Sequence, residues 1–88
     1  METRIAVISI IVEDTESVET LNSCLHEYSR YIIGRMGLPY QVDDRRVNII
    51  SIAVDAPQDV IAALSGKIGK LSGVSAKAAY SNVVSHGA

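Results

Sequence analysis

The stretch RIAVISIIV, residues Arg4–Val12, predicts a β-strand that is buried on both sides. Isoleucine and valine occupy both sets of alternating positions, and Ser9 interrupts the apolar run. A second stretch, Val47–Val54, has the same character and ends at Asp55. Strands that are hydrophobic on both faces are typical of a sheet that is covered on two sides. We therefore predict that these two strands lie in the middle of the sheet.

Each of these strands is followed by a predicted helix. Acidic and hydroxyl residues at 13–15 supply helix-start chemistry, and apolar residues at helical spacing extend the first helix from about Thr15 to Glu27. Pro57 occupies a first helical position of the second helix, whose apolar stripe continues to Leu71. Gly73 is predicted to close this helix, because glycine favours the position that follows a helix.

The segment YIIGRMGLPY, residues Tyr31–Tyr40, contains two glycines inside an apolar stretch. Glycine weakens the interior of a strand, so its presence indicates a bulge or the close approach of another backbone or a ligand. We predict a strand over residues 28–36 that Pro39 stops, followed by a polar turn over residues 38–45.

The last predicted strand covers residues 74–80, whose alternation is typical of a sheet edge. The order of elements is then strand, helix, strand, strand, helix, strand. This order predicts an α+β protein with a ferredoxin-like βαββαβ sandwich, in which two helices cover one face of a four-stranded antiparallel sheet. We predict a single domain over residues 1–81 and a flexible tail over residues 82–88.

Charge and composition argue against several classes of function. A net charge of −2 and a pI near 5.5 argue against a nucleic-acid-binding module, so no direct nucleic acid binding is expected. The single cysteine, Cys24, excludes an internal disulfide framework. No run approaches the roughly 18 apolar residues of a membrane span, and the N-terminus lacks the pattern of a signal peptide. We expect a cytoplasmic protein that does not bind membranes.

The apolar character of both central strands predicts a homodimer or homotetramer. Helices on one side of the sheet would leave the other side open. Burying apolar surface stabilises a protein by about 25 cal/mol per Å², so an apolar face left in water loses several kcal/mol of stabilisation. A second subunit would cover this face, although the C-terminal tail folding across it is an alternative. The predicted interface residues are Ile5, Val7, Ser9, Ile11, Val47, Ile49, Ser51 and Ala53.

Several residues are candidates for binding a small-molecule effector or a partner protein. Arg35 is a cation between Gly34 and Gly37, where it could meet an anion while the glycines offer backbone N–H groups. Gly66 and Gly69 are predicted on the outer side of the second helix, where glycine costs about 0.8–1 kcal/mol relative to alanine. Their presence there indicates close approach by a neighbour or a ligand, or simply a weakly formed helix end.

No arrangement of residues predicts catalysis, a metal site or a cofactor. Cys24 and His26 are two residues apart on a helix and point in different directions, so they do not share a metal easily. Gly66-Lys67 lacks the rest of a phosphate-binding loop. Ser9 and Ser51 have no evident base, and hydrogen bonding within the interface is their expected role. We therefore predict a protein that is not an enzyme.

Four segments resemble the small iron-only hydrogenase system regulator family. These segments are Ile11–Asp14, Tyr31–Tyr40, Ile50–Ile52 and Leu64–Val74, and the resemblance covers about residues 4–81. The sequence Gly-Arg-Met-Gly at residues 34–37 is its most distinctive part.

That family is similar to ACT domains and to the C-terminal domain of nickel-responsive repressors. The resemblance implies an oligomeric, ACT-like transcriptional regulator linked to the iron-only hydrogenase system. Those repressors carry a ribbon-helix-helix segment and nickel-binding His and Cys residues, which have no counterparts here. The resemblance thus implies a ligand-sensing module without its own DNA-binding segment. The alternative is a DNA-associated repressor that acts directly or through a partner protein.

Overall fold

The computed structural model describes the backbone of residues 2–86 and the side chains of residues 2–84. Two short 3₁₀ turns, Thr15–Ser17 and Ser29–Tyr31, flank the first helix. Neither helix in this part of the chain is long and apolar enough to cross a membrane. The elements are β1 (Glu2–Val12), α1 (Val18–Glu27), β2 (Ile32–Val42), β3 (Arg45–Ala56), α2 (Gln58–Gly69) and β4 (Val74–His86).

The four strands form one antiparallel sheet in the order β2-β3-β1-β4. The two Ile/Val-rich strands, β1 and β3, lie at its centre, which confirms the prediction. With a helix after β1 and another after β3, the chain has the ferredoxin-like βαββαβ arrangement.

One hydrophobic core lies between the sheet and the helices. In α2, Ile61, Leu64 and Ile68 recur at intervals of three and four residues, so they line one side of the helix and are fully buried. Leu21 and Leu25 do the same in α1. These side chains form a single buried cluster with the alternate residues of β1 and β3, from Ala6 to Val12 and from Ile50 to Ala56. Both helices therefore cover the same face of the sheet.

The end of β2 differs from the prediction. The strand does not stop at Pro39 but continues to Val42, and Pro39 is paired with Asn48 in regular register. Proline is tolerated here because β2 is an edge strand, where a missing N–H can face away from the ladder. The turn is reduced to two residues, Asp43 and Asp44, and Asp43 has the positive φ of 54° that tight hairpins require.

Gly34 marks a β-bulge, as predicted, and Gly37 does not. The register shifts between Ile32 and Gly34, so that one extra β2 residue is accommodated against β3. Gly37 is paired with Ile50 in an undisturbed ladder.

The prediction for the C-terminal strand is too short. β4 continues to His86, and residues 84–86 pair with residues 2–4 of β1 beyond a second register shift. Residues 82–86, predicted as a flexible tail, therefore belong to the sheet, while 87 and 88 lie outside the described residues. The Arg4 guanidinium supports this extension by donating to the carbonyl oxygen of Ser81 at 2.7 Å.

The turn before β4 is held against the start of α1. α2 ends at Gly69, earlier than predicted, and Gly73 follows four residues later with a φ of +67°. The Glu13 N–H donates to the Gly73 carbonyl oxygen at 2.7 Å, and the Ser17 hydroxyl donates to the Ser72 carbonyl oxygen at 2.6 Å. A Cβ added at Gly73 would lie 2.5 Å from the Asp14 Cβ, so this position requires glycine.

Candidate functional site

The face of the sheet opposite the helices is open and largely apolar. Ile5, Val7 and Ile11 of β1 are between 37% and 45% exposed, although β1 is a central strand. Ile49 of β3 is 42% exposed and lies directly opposite Ile11. The eight residues predicted for the interface are thus brought together on one surface, and Ser9 is paired with Ser51 at its middle.

The open face is wider than the sequence predicted, because β2 contributes to it. Residues paired with open-face residues of β3 point to the same side, since neighbouring strands share one pleat. Leu38 is paired with Ile49 and Met36 with Ser51, and both β2 side chains are more than half exposed. The alternation of Met36, Leu38 and Tyr40 could have revealed this pattern, but the predicted strand ended at residue 36 and Leu38 was assigned to the turn. We call the surface formed by the following residues the open face: Ile5, Val7, Ser9, Ile11, Gly34, Met36, Leu38, Tyr40, Val42, Val47, Ile49, Ser51 and Ala53.

Charged side chains adjoin the open face, among them those of Lys77 and Asp55. Lys77 of β4 is paired with Ser9, so a cation lies at the β4 edge of the apolar surface. Asp55 of β3 is paired with Ile5, which lies near the start of β1. Its Oδ1 atom is buried and has no hydrogen-bond partner among the described residues.

Arg35 lies on the other side of the sheet, the side that the helices cover. It is paired with the fully buried Ile52, and its Nη2 donates to the Asn22 Oδ1 of α1 at 2.9 Å. Because side chains alternate along β2, Arg35 and Gly37 face α1, whereas Gly34 belongs to the open face.

Arg35 and Asn22 separate two grooves between α1 and β2. One groove has a volume of about 370 Å³ and is also lined by Leu25, His26 and Ile32. The other has a volume of about 280 Å³ and is lined, besides Arg35 and Asn22, by Val18, Gly37, Pro39, Asn48 and Ile50.

Gly66 and Gly69 are remote from both grooves. α2 lies mainly over β1 and β4, whereas β2 is at the opposite edge of the sheet. Both glycines are exposed, and an added Cβ would meet nothing within 4 Å. Within the described residues, the five candidate ligand-binding residues therefore fall into separate regions of the surface.

A third cavity, of about 610 Å³, lies between the outer surfaces of α1 and α2. Lys67 Nζ donates to Glu27 Oε1 at 3.3 Å and lies 5.1 Å from the centre of the Tyr28 ring. Hydrogen bonding to Tyr28 and then to Glu27 raises the pKa of Lys67. Burial raises the pKa of the Cys24 thiol, which lines the same cavity. The thiol is therefore kept protonated at neutral pH and is a weak nucleophile.

Among the residues that the structure describes, no group of three or more His, Cys, Asp and Glu side chains is arranged to hold a metal ion. Two surfaces are the candidates for binding: the open face, and the groove of about 280 Å³ lined by Arg35 and Gly37, which we call the Arg35 groove. The first can bury apolar area, and the second offers one cation and amide groups. Both are suited to binding.

The comparison with protein families gives a match over residues 4–78. The matching model is TM1266-like, with the description "Iron-only hydrogenase system regulator, putative". The solved structure of the uncharacterized protein TM1266 from Thermotoga maritima is 34% identical, over 89% of this chain and 96% of that chain, with a TM-score of 0.79. No curated protein matches the chain.

More distant solved structures share the fold alone. The ACT domain of GTP pyrophosphokinase from Chlorobium tepidum is 16% identical, with a TM-score of 0.59, over 97% of this chain and 93% of that one. The apo form of CPII from Thiomonas intermedia K12, a nitrogen regulatory PII-like protein, is 13% identical, with a TM-score of 0.53, over 98% of each chain. These similarities confirm the ACT-like, ferredoxin-like fold.

Proposed function

We propose a regulatory function for this chain, which belongs to the TM1266-like family of iron-only hydrogenase system regulators. In this proposal the chain is a non-enzymatic module that assembles into a homodimer or homotetramer through the open face. The assembled module responds to a small-molecule effector or a partner protein. The observation that carries the proposal is an apolar surface that crosses β1, β2 and β3 and has no cover within the described residues.

The size of the open face supports this assembly. With strands about 4.8 Å apart and a rise of about 3.4 Å per residue, three strands and roughly eight residues give a plan area of about 390 Å². Apolar patches of this size on single chains are often functional. The accessible area exceeds the plan area because side chains project from it, which brings it towards the roughly 800 Å² per partner of a standard interface.

The chemistry of the surface favours a second copy of the same chain. A two-fold interface places the same patch on both subunits, so a surface dominated by Ile, Val, Leu and Met complements itself. Ser9 and Ser51 in the middle are small and can donate and accept hydrogen bonds, so they suit close contact between two sheets.

The proposal assigns regulation rather than DNA binding to the chain itself. The net charge of −2 opposes binding to the phosphate backbone. In this proposal, an effect on transcription therefore passes through a partner protein. The candidate effector-binding residues remain Gly34, Arg35, Gly37, Gly66 and Gly69, of which Arg35 and Gly37 share one groove.

Sedimentation at low micromolar concentration tests the assembly. We expect the wild-type chain to sediment as a dimer or tetramer and Ile49→Lys to sediment as single chains, because each copy would bury a charge at the centre of the interface. Ala62→Lys adds the same charge to the exposed surface of α2 and serves as the matched control, which should sediment like the wild type. Stable single chains of the wild type would overturn the proposal, as would an Ile49→Lys variant that assembles normally.

A further inference from the structure

We infer that the groove between α1 and the helix-facing side of β2 binds a small carboxylate with a short apolar tail. The groove has a volume of about 280 Å³ and contains one guanidinium, that of Arg35. The inference rests on the proposed function in one respect, since a regulator requires an effector, and it names the chemical class of that effector.

The polar end of the groove offers hydrogen-bond donors to an anion. Arg35 carries five N–H donors, and its one hydrogen bond among the described residues is the donation from Nη2 to Asn22. The remaining donors are free for an incoming oxyanion, and a guanidinium pairs with a carboxylate through two parallel hydrogen bonds. The side-chain amides of Asn22 and Asn48 line the same groove and add donors of neutral charge.

Asn22 also fixes the position of the cation. By accepting from Nη2 at 2.9 Å, it holds the exposed Arg35 side chain beside α1. A cation that is already positioned loses less conformational entropy when a ligand binds.

The rest of the groove is apolar. Ile50 is 7% exposed and belongs to the core, while Val18 and Pro39 complete the lining. Gly37 faces the groove because it is paired with Ile50, and an added Cβ would meet nothing within 4 Å. The absent side chain therefore leaves open space beside Ile50, where a short aliphatic tail would fit.

These features favour a carboxylate over a phosphate. A phosphate group carries up to two negative charges and is usually met by several cations or by a row of backbone N–H groups. Arg35 is the cation that lines this groove, and the apolar surface beside it suits a ligand that is partly hydrocarbon. A monoanion with an aliphatic tail matches both properties.

Titration with sodium valerate, followed by amide chemical shifts in NMR spectra, tests the inference. We expect saturable shifts at Arg35, Gly37 and Asn22, with inorganic phosphate giving no saturable shifts there. Valeramide has the same shape without the charge and should bind at least tenfold more weakly, about 1.4 kcal/mol. Shifts that fail to saturate, or equal binding of valeramide, would overturn the inference.

Two variants locate the site. Arg35→Lys keeps the charge but loses the planar fork, and we expect it to weaken valerate binding about tenfold. Gly37→Val should fill the groove and abolish binding while remaining folded, because valine favours strands and the space above Gly37 is empty. The exposed Arg30→Lys serves as the matched control and should bind valerate like the wild type. If both groove variants bind valerate normally, the inference fails.

Sedimentation of the same samples separates this inference from the proposed function. If the wild-type protein assembles but does not bind valerate, the carboxylate site is refuted and the proposed assembly stands. Single chains that bind valerate at Arg35 refute the assembly and leave the site intact.

Discussion

The two faces of the sheet have nearly the same residue types and very different surroundings. On the covered face, Ile8 and Ile52 are fully buried beneath the helices. On the open face, Ile11 and Ile49 are more than 40% exposed, although they belong to the same two strands. Residue type alone therefore does not tell which face of β1 and β3 is covered within one chain.

The connections of the chain decide which face is covered. A crossover that leaves one strand and returns to the same sheet has a fixed hand, so the helices after β1 and β3 are placed on the same side. Because both helices lie on that side, nothing within residues 2–84 covers the other face. A hydrophobic face that remains uncovered is the observation on which the proposed assembly depends.

The largest expected effect is a difference in the free energy of unfolding between two variants of β1, one on each face of the sheet. Ile8→Ala should lower the free energy of unfolding by about 2–5 kcal/mol, because it leaves a cavity in the core. Ile11→Ala in the same strand should cost less than about 1 kcal/mol within the single chain. Urea unfolding of both variants, monitored by circular dichroism, measures the difference.

The same pair of variants reports on assembly when the protein concentration is varied. If the open face is an interface, the cost of Ile11→Ala rises with concentration, because assembly stabilises the folded chain by mass action. The cost of Ile8→Ala within the chain is present at every concentration. Equal costs for both variants at low concentration would contradict the comparison between the two faces.

A second, smaller effect is expected at the turn that places β4 beside β1. Gly73→Ala should cost about 1–3 kcal/mol, because alanine would be strained at a φ of +67° and its Cβ would contact Asp14. Thermal unfolding checks this expectation.

Gly66→Ala is the matched control for this substitution. Gly66 lies in α2 with open space around it, so alanine there should stabilise the protein by about 0.5–1 kcal/mol through its better helix propensity. If Gly73→Ala is as stable as the wild type, the close packing of Gly73 on Asp14 is wrong.

The smallest effect concerns the outer surface of the helical layer. Because burial raises the pKa of Cys24 above its ordinary value of 9.0, the thiolate fraction at pH 8 is lower than in a free thiol. Alkylation by iodoacetamide should therefore be slower in the folded protein than in urea, and its rate should still be rising above pH 9.

The sign of the accompanying stability change follows from linkage. The folded state holds the Cys24 proton more tightly than the unfolded state, so this contribution is present below about pH 9 and is lost as the pH rises through the folded pKa. Lys67→Met removes a charge that lowers this pKa and should slow alkylation further, as measured at a fixed pH. An alkylation rate equal to that of the unfolded chain would contradict the burial of Cys24.

The order of the elements and the central strands could be predicted from the sequence because their signals are local. Runs of Ile and Val, helical spacing and helix-start residues each depend on neighbours within a few positions. The end of β2 could not be predicted in this way. Pro39 stops a strand in the interior of a sheet but not at its edge, and the edge position of β2 becomes known only when the strands are arranged.

The candidate site was predicted in part. The eight residues of the interface prediction share one face, as expected from strict alternation along β1 and β3. The contribution of Leu38 was missed because residue 38 was assigned to the turn, and Met36 lay inside the predicted strand but was not assigned to the interface. Asn22 was also missed, because its hydrogen bond to Arg35 joins residues of two different elements and has no signature in the local sequence.

By itself, the sequence determined which segments become strands and helices and that the central strands are apolar on both faces. These properties depend on the types and spacing of residues within a few positions, so they can be predicted without knowing how the elements are arranged. Only the tertiary structure decided which face the helices cover, that Arg35 lies on the covered side and Gly34 on the open side, and that Gly66 and Gly69 lie far from both. These properties depend on the strand order and on the hand of the crossovers, which bring together residues that are distant in the chain.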